Sequence, residues 1–196
     1  MSLTLYPTAS ADDSFWVNNN FYGALTKCSV GNSSSFAVQS ILRFPSVTIP
    51  FGSTISTAVL TLTAFADYAA TTVNATIFGD DEDTAIAPTN SAEFQNIIVN
   101  YRTTATVAWN NIAAWTANTA YPTADIGTII AEILGRAGWV SGNAIAICVI
   151  DNSSTANALR EFHSFDGGLT AYYPKLVIDY VPVYDVDFKT RTTMIR

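Results

Sequence analysis

Glu161, His163, Ser164 and Asp166 stand within the stretch REFHSFDG, and His163 is the only histidine in the chain. An imidazole, a hydroxyl and two carboxyls are the groups of a nucleophile triad or an acid–base pair, provided that they converge on one point. Adjacency opposes convergence. Ser164 directly follows His163, so on an extended strand the two side chains project to opposite sides. Glu161 and His163 do share a face, roughly 6–7 Å apart along such a strand, which admits a Glu–His hydrogen bond without any reaction. No catalytic residue is expected here. Arg160 alternates onto the other face with Phe162. It is expected to act as a structural lock, pairing with a carboxylate such as Asp179 on the next strand or holding a loop carbonyl.

Two further groups of residues have chemistry in their types. The run GDDEDT places Asp80, Asp81, Glu82 and Asp83 together, and clustered hard oxygen donors on a loop are what calcium needs, with Asp81 and Asp83 the candidate ligands. The spacing is not that of an EF-hand, and charge runs usually face water, so a solvated acidic loop is the leading expectation, with calcium second and no other cofactor. The stretch WNNIAAWTANTAY carries Trp109, Trp115, Asn118 and Tyr121. Sugars stack on exposed aromatic faces, which makes Trp115, Tyr121 and Asn118 the glycan-binding candidates. Trp109 and Trp139 are expected in the core. Wedging the loop onto the body of the protein is an equally good use of Trp115 and Tyr121.

The elements that must position these residues announce themselves by alternation. SLTLY, FAVQSILRF, TAVLTLTAF, TTVNATIF, TTATVAW, LREFHSF and PKLVIDYV read as strands separated by turn residues. Ala58, Leu60, Leu62 and Ala64 share one face, as do Ala105, Val107 and Trp109. NAIAICVI is apolar on both faces, as a central strand would be. At least eight strands with varied connections predict an all-β fold, an antiparallel two-sheet jelly-roll sandwich. One segment differs: Ile126, Ile129, Ile130, Ile133 and Leu134 follow a helical period. A short helix is expected at about 124–135, capped by Thr123 or Asp125 and ended by Gly135 or Gly138, covering an end or edge of the sandwich.

Composition bounds the rest. A chain of 196 residues with 49% apolar and 13% charged residues suits one domain with a substantial core. Residues 1–181 are read as that domain and 182–196 as a C-terminal tail. Sixteen acidic against nine basic residues give a net charge of −7, and the bases are unclustered, so nucleic acid is disfavoured as a partner. No apolar run is long enough to cross a bilayer, and the first residues do not read as an export signal. Cys148 is expected as a small core residue, with a single bridge to Cys28 as the alternative. Three Asn-x-Ser/Thr triplets, at Asn32, Asn74 and Asn152, carry no weight without a secretory setting. Lys189, Arg191 and Arg196 make the tail basic against an acidic body, the charge pattern of a docking arm.

ASADDSFW, LRFPSVTIPFGSTISTAVLTLTA, VAWNNIAAW, EILGRAGWVSGNAIAI, and LREFHSFDG with PKLVIDY occur in the order seen in DNRLRE-type jelly-roll modules, over about residues 8 to 181. The chain resembles that family, and Leu159, Arg160 and Glu161 match the end of its signature within DNSSTANALREF. The resemblance implies a non-catalytic β-sandwich related to carbohydrate-binding modules and found in bacterial surface proteins and phage structural proteins; it also suits Arg160 as an internal lock. The expected function is therefore that of a phage virion structural protein, a capsid-decoration or tail-associated jelly roll, oligomeric or lattice-bound among other virion proteins. The alternative is a carbohydrate-binding or adhesion module gripping surface polysaccharide at the cell surface. An enzyme such as a polysaccharide lyase or hydrolase ranks third, since no acid, base and nucleophile come together in the sequence.

Overall fold

A computed structural model describes residues 1–69 and 71–183. The strands, numbered along the chain, form two antiparallel sheets. The smaller sheet contains, in spatial order, β1 (Ser2–Leu5), β12 (Lys175–Val181), β6 (Thr54–Thr63) and β9 (Ala120–Pro122). The larger runs β11 (Leu159–His163), β4 (Lys27–Ser33), β5 (Phe36–Phe44), β10 (Ile145–Asp151), β7 (Ala75–Gly79) and β8 (Val107–Trp109). A hairpin, β2 (Asp13–Val17) and β3 (Asn20–Gly23), adds to it through pairing of β2 with β5. Its turn residues Asn18 and Asn19 have φ of 49° and 61°, the left-handed pair that a tight hairpin requires and that asparagine tolerates. The all-β, two-sheet antiparallel sandwich expected from alternation is the architecture that forms.

Register explains where the core sits. Leu176 lies opposite Leu60 and Ile178 opposite Ala58, and all four side chains point into the space between the sheets with Val30, Leu42, Phe44 and Phe162. Strand β10 is buried on both sides. Its Ile145, Ile147 and Val149 enter this central core, while Ala146 and Cys148 enter a second core on the outer face with Ile41 and Phe78. That double burial is the physical basis of a strand that is apolar from Ile145 to Ile150.

Two helices complete the body, where one was expected. Helix α2 (Gly127–Leu134) lies in the predicted segment and sends Ile129, Ile130, Ile133 and Leu134 into the central core, packing on β6 of one sheet and β7 of the other. The cap position is Ile126, which makes no side-chain cap bond, but Asp125 Oδ1 one residue earlier accepts from the Gly127 and Ala58 backbone N–H groups, both at 2.8 Å, and ties the helix start to β6. Close approach is needed at Gly79: a Cβ there would lie 2.5 Å from Ile133 Cδ1. Helix α1 (Ser91–Asn100) is the addition, and it roofs the outer core with Phe94, Ile97 and Ile98. Its signals are local. Asn90 Oδ1 accepts from the Glu93 N–H while Glu93 Oε2 accepts from Thr89, a capping arrangement legible as N-x-x-E, and the apolar residues follow at helical spacing.

Candidate functional site

Strand β11 is an edge of the larger sheet, and its pairing with β4 sets Glu161 opposite Ser29 and His163 opposite Lys27. The Glu–His hydrogen bond that the shared face admits does not form. Glu161 is taken by two other partners, the Lys27 ammonium at 2.6 Å and a short hydrogen bond from the Tyr68 hydroxyl. Burial and this bond push the Tyr68 phenol far above its usual range. His163 instead lies between the rings of Phe65 and Tyr172, with centroids 5.1 and 4.8 Å away. Its Nε2 is 3.1 Å from Asn118 Oδ1. Burial lowers the imidazole pKa, which favours the neutral ring. A carbonyl oxygen only accepts, so this contact requires the tautomer with the proton on Nε2, and the buried Nδ1 has no hydrogen-bond partner among the described residues. Ser164 turns away and donates to the Leu25 carbonyl, and Asp166 accepts from Ser10 Oγ at 2.6 Å. The four residues that stand together in sequence thus serve four separate contacts.

Arg160, on the opposite face, is fully buried. Its Nε donates to the Ala113 carbonyl, Nη1 to Thr71 Oγ1 and the Leu159 carbonyl, and Nη2 to the Thr71 and Ile112 carbonyls, at 2.9–3.3 Å. Asp179 is not its partner: it is exposed on β12 in the other sheet and accepts from Thr57. A guanidinium supplies five fixed donors, and here they satisfy carbonyls of two loops that otherwise lack strand partners. Desolvation lowers its pKa from a very high starting value.

The aromatic loop that follows β8 is turned inward. Trp115 is 2% exposed, which corrects its assignment as a surface glycan platform. Its ring stacks on Tyr121 at 5.0 Å and 12° and lies 6.3 Å from the Trp109 ring, while the Tyr121 hydroxyl accepts from the Thr116 N–H at 2.7 Å. Trp115 and Tyr121 share their faces with each other, and of the three candidates Asn118 alone is exposed, engaged to His163. Trp139 is buried and donates its indole N–H to the Ile49 carbonyl; Trp109 is half-buried against the central core.

The acidic run is organised by a cation from the protein itself. Arg136 meets Asp81 Oδ1 through Nη1 at 2.6 Å and Asp83 Oδ1 through Nε at 2.9 Å, so the two carboxylates proposed for calcium are bound to one guanidinium. Gly138 leaves room for this clamp, since a Cβ would fall 1.9 Å from Asp83 Oδ2. Among the described residues no three His, Cys, Asp or Glu side chains are grouped to hold a metal ion. Asp80 stands apart from the clamp: it is 1% exposed, and neither carboxyl oxygen has a hydrogen-bond partner among the described residues. Burial raises its pKa to about 7, with Glu82 and Asp81 adding to the rise and Arg136 opposing it. Asp13 is likewise raised to about 7, chiefly by burial; a 2.6 Å bond from the Phe165 N–H works against the rise, and Asp166 and Asp12 add to it.

Sequence reasoning missed a groove of about 500 Å³ lined by Tyr6, Pro7, Thr170, Ala171 and Tyr173. Leu5 pairs with Leu176 across β1 and β12, so the residue after the first strand and the turn before the last meet at one end of the small sheet. The pair YY before PKLVIDY was a visible signal, but only strand pairing supplies Tyr6. The basic residues Lys189, Arg191 and Arg196 lie outside the described residues. No protein-family model matches the chain, and no curated protein is significantly similar to it.

Proposed function

We propose that this chain is a non-enzymatic structural module of a phage virion, a capsid-decoration or tail-associated sandwich that works by packing against neighbouring proteins. The observation that carries the reading is an apolar end. Phe51, Val140, Val181 and Val183 are each more than half exposed. The Val183 side chain lies beside Gly52, and the Trp139–Ile49 hydrogen bond holds the segment bearing Val140 against the loop before Phe51. Apolar side chains grouped on one end favour contact with another protein surface. The dispersal of Glu161, His163, Ser164 and Asp166 into separate contacts supports packing over bond-breaking, and the resemblance to DNRLRE-type modules supports the virion setting. Incorporation into particles assembled from structural genes encoded beside its own tests the reading. Phe51→Ser with Val140→Ser, and a chain ending at residue 182, are each expected to lose incorporation while remaining folded. Undiminished incorporation, or a gene neighbourhood without capsid, portal or tail proteins, would count against it.

Glycan recognition is the second reading, and the Tyr6–Tyr173 groove favours it over the stacked Trp115–Tyr121 pair. Tyr6 is 41% exposed, so its ring offers a face to a sugar. Replacing Tyr6 and Tyr173 with Ala is expected to abolish retention on surface polysaccharide at unchanged melting temperature. Retention equal to that of the wild type would remove the groove from consideration.

A further inference from the structure

A pocket of about 270 Å³ lies on the outer face, between the segment that follows β7 and helix α1. Asp80, Glu82 and Glu93 line it together with Asn96, Ile86 and Tyr101. Asp80 is the deepest of the three acids, and both of its oxygens lack partners among the described residues, whereas Glu82 and Glu93 are half-buried nearer solvent. A buried carboxyl without a hydrogen bond is costly, and native proteins rarely retain one without a use. Among the described residues no Lys or Arg lines the pocket. Arg136 is committed to Asp81 and Asp83, and the Arg102 guanidinium lies over the Phe78 ring at 4.0 Å. The recess therefore gathers three carboxyls with no cation among the described residues of its walls, and it turns fully negative once Asp80 loses its proton above about pH 7.

The kind of cation follows from the lining. The acidic side chains are not grouped around one point as a metal ion demands. Beside them stand apolar surfaces: Ile86 is 57% exposed and Tyr101 38%. A recess with carboxyls for a compact charge and an aliphatic and an aromatic surface for a stem matches a primary ammonium on a methylene chain, which carries three N–H donors. The volume is below that of pockets for drug-sized ligands, as such a group requires.

We propose that this pocket binds a primary alkylammonium group, with Asp80 accepting from the ammonium and Ile86 and Tyr101 flanking its methylenes. Two sources share this chemistry, a lysine side chain of a docked protein and a free polyamine. The inference stands independently of the virion reading.

The test is titration of the full chain at pH 8, where the Asp80 carboxyl is ionised and the amines stay protonated, followed by backbone amide NMR, with 1,5-diaminopentane, with Nα-acetyl-lysine methylamide, and with 1-pentanol as the uncharged control. Saturable shifts around Asp80, Glu82 and Tyr101 are expected with both amines and not with pentanol. Asp80→Asn keeps the shape but removes the charge, and is expected to weaken binding by about tenfold or more, the loss of a charge-assisted contact. Ile86→Ser, at an exposed position that folding does not need, is expected to weaken it by about threefold through lost stem contact. Equal affinities for the two amines would assign the site to a protein lysine, and a diamine preference of about tenfold to a polyamine whose second ammonium meets Glu82 or Glu93. Absent shifts, shifts elsewhere, binding unchanged in Asp80→Asn and Ile86→Ser, or calcium reproducing the same shifts and displacing the amine would each overturn the proposal.

Discussion

At the scale of single residues, the chain places its ionisable groups in environments that alternation could not forecast. Arg160 sits among neutral carbonyls rather than beside a carboxylate, because β11 and β12 belong to different sheets. Asp80 is the case with a measurable consequence. Its carboxyl keeps a proton up to about pH 7 in the native state, against an ordinary value of 3.8. Between those values the native protein binds more protons than the unfolded chain, so this residue's contribution to stability falls as pH rises through the window. Asp80→Asn, which stays neutral throughout, is expected to match the wild type near pH 4 and to exceed it by roughly 1–3 kcal/mol above pH 8 in urea unfolding. A difference that does not vary with pH would show that the carboxyl is not held protonated by burial. Asp13 acts in the same direction, against the opposing bond from Phe165.

At the scale of elements, the informative contact is that of α2 with β7. Gly79 offers no side chain, and Ile133 Cδ1 and Ile129 Cγ2 occupy the space a Cβ would fill, at 2.5 and 2.9 Å. Gly79→Ala is expected to cost about 1–2 kcal/mol by overpacking, and Ile133→Val, which deletes the clashing methyl, should recover part of that in the double variant. Strict additivity of the two changes in a denaturation cycle would mean that α2 moves away freely and is not seated on β7. Helix α2 was legible because five apolar residues repeat at its period. Helix α1 shows fewer apolar positions beside a visible cap, and its reason to form lies in the outer core that it covers. The β2–β3 turn has its own mark in Asn18 and Asn19, but asparagine-rich segments serve loops and tight hairpins alike.

For the molecule as a whole, β10 separates two cores and belongs to both. Cys28 lies in the central core and Cys148 in the outer one, and both thiols are free, buried and pushed well above their usual pKa. A buried thiol reacts only when its surroundings open. Because the two cores share β5, β7 and β10, Cys28 and Cys148 are expected to react with a thiol reagent at the same rate in dilute denaturant. Early labelling of Cys148 alone would show that α1 and the outer core open before the sandwich does.

What the sequence by itself determined is the periodicity, and with it the two-sheet class, the inward face of β6, the double burial of β10 and the place of α2. Those follow from side-chain direction along a single segment, which is a local property of the backbone. Which polar groups meet was decided only by tertiary structure. The Arg136 clamp joins residues more than fifty positions apart, Tyr6 and Tyr173 meet through pairing of the first and last strands, and Trp115 faces inward because its loop folds back onto Tyr68 and Tyr121. Such contacts depend on register between distant strands, and no periodicity within one strand encodes the identity of its neighbour.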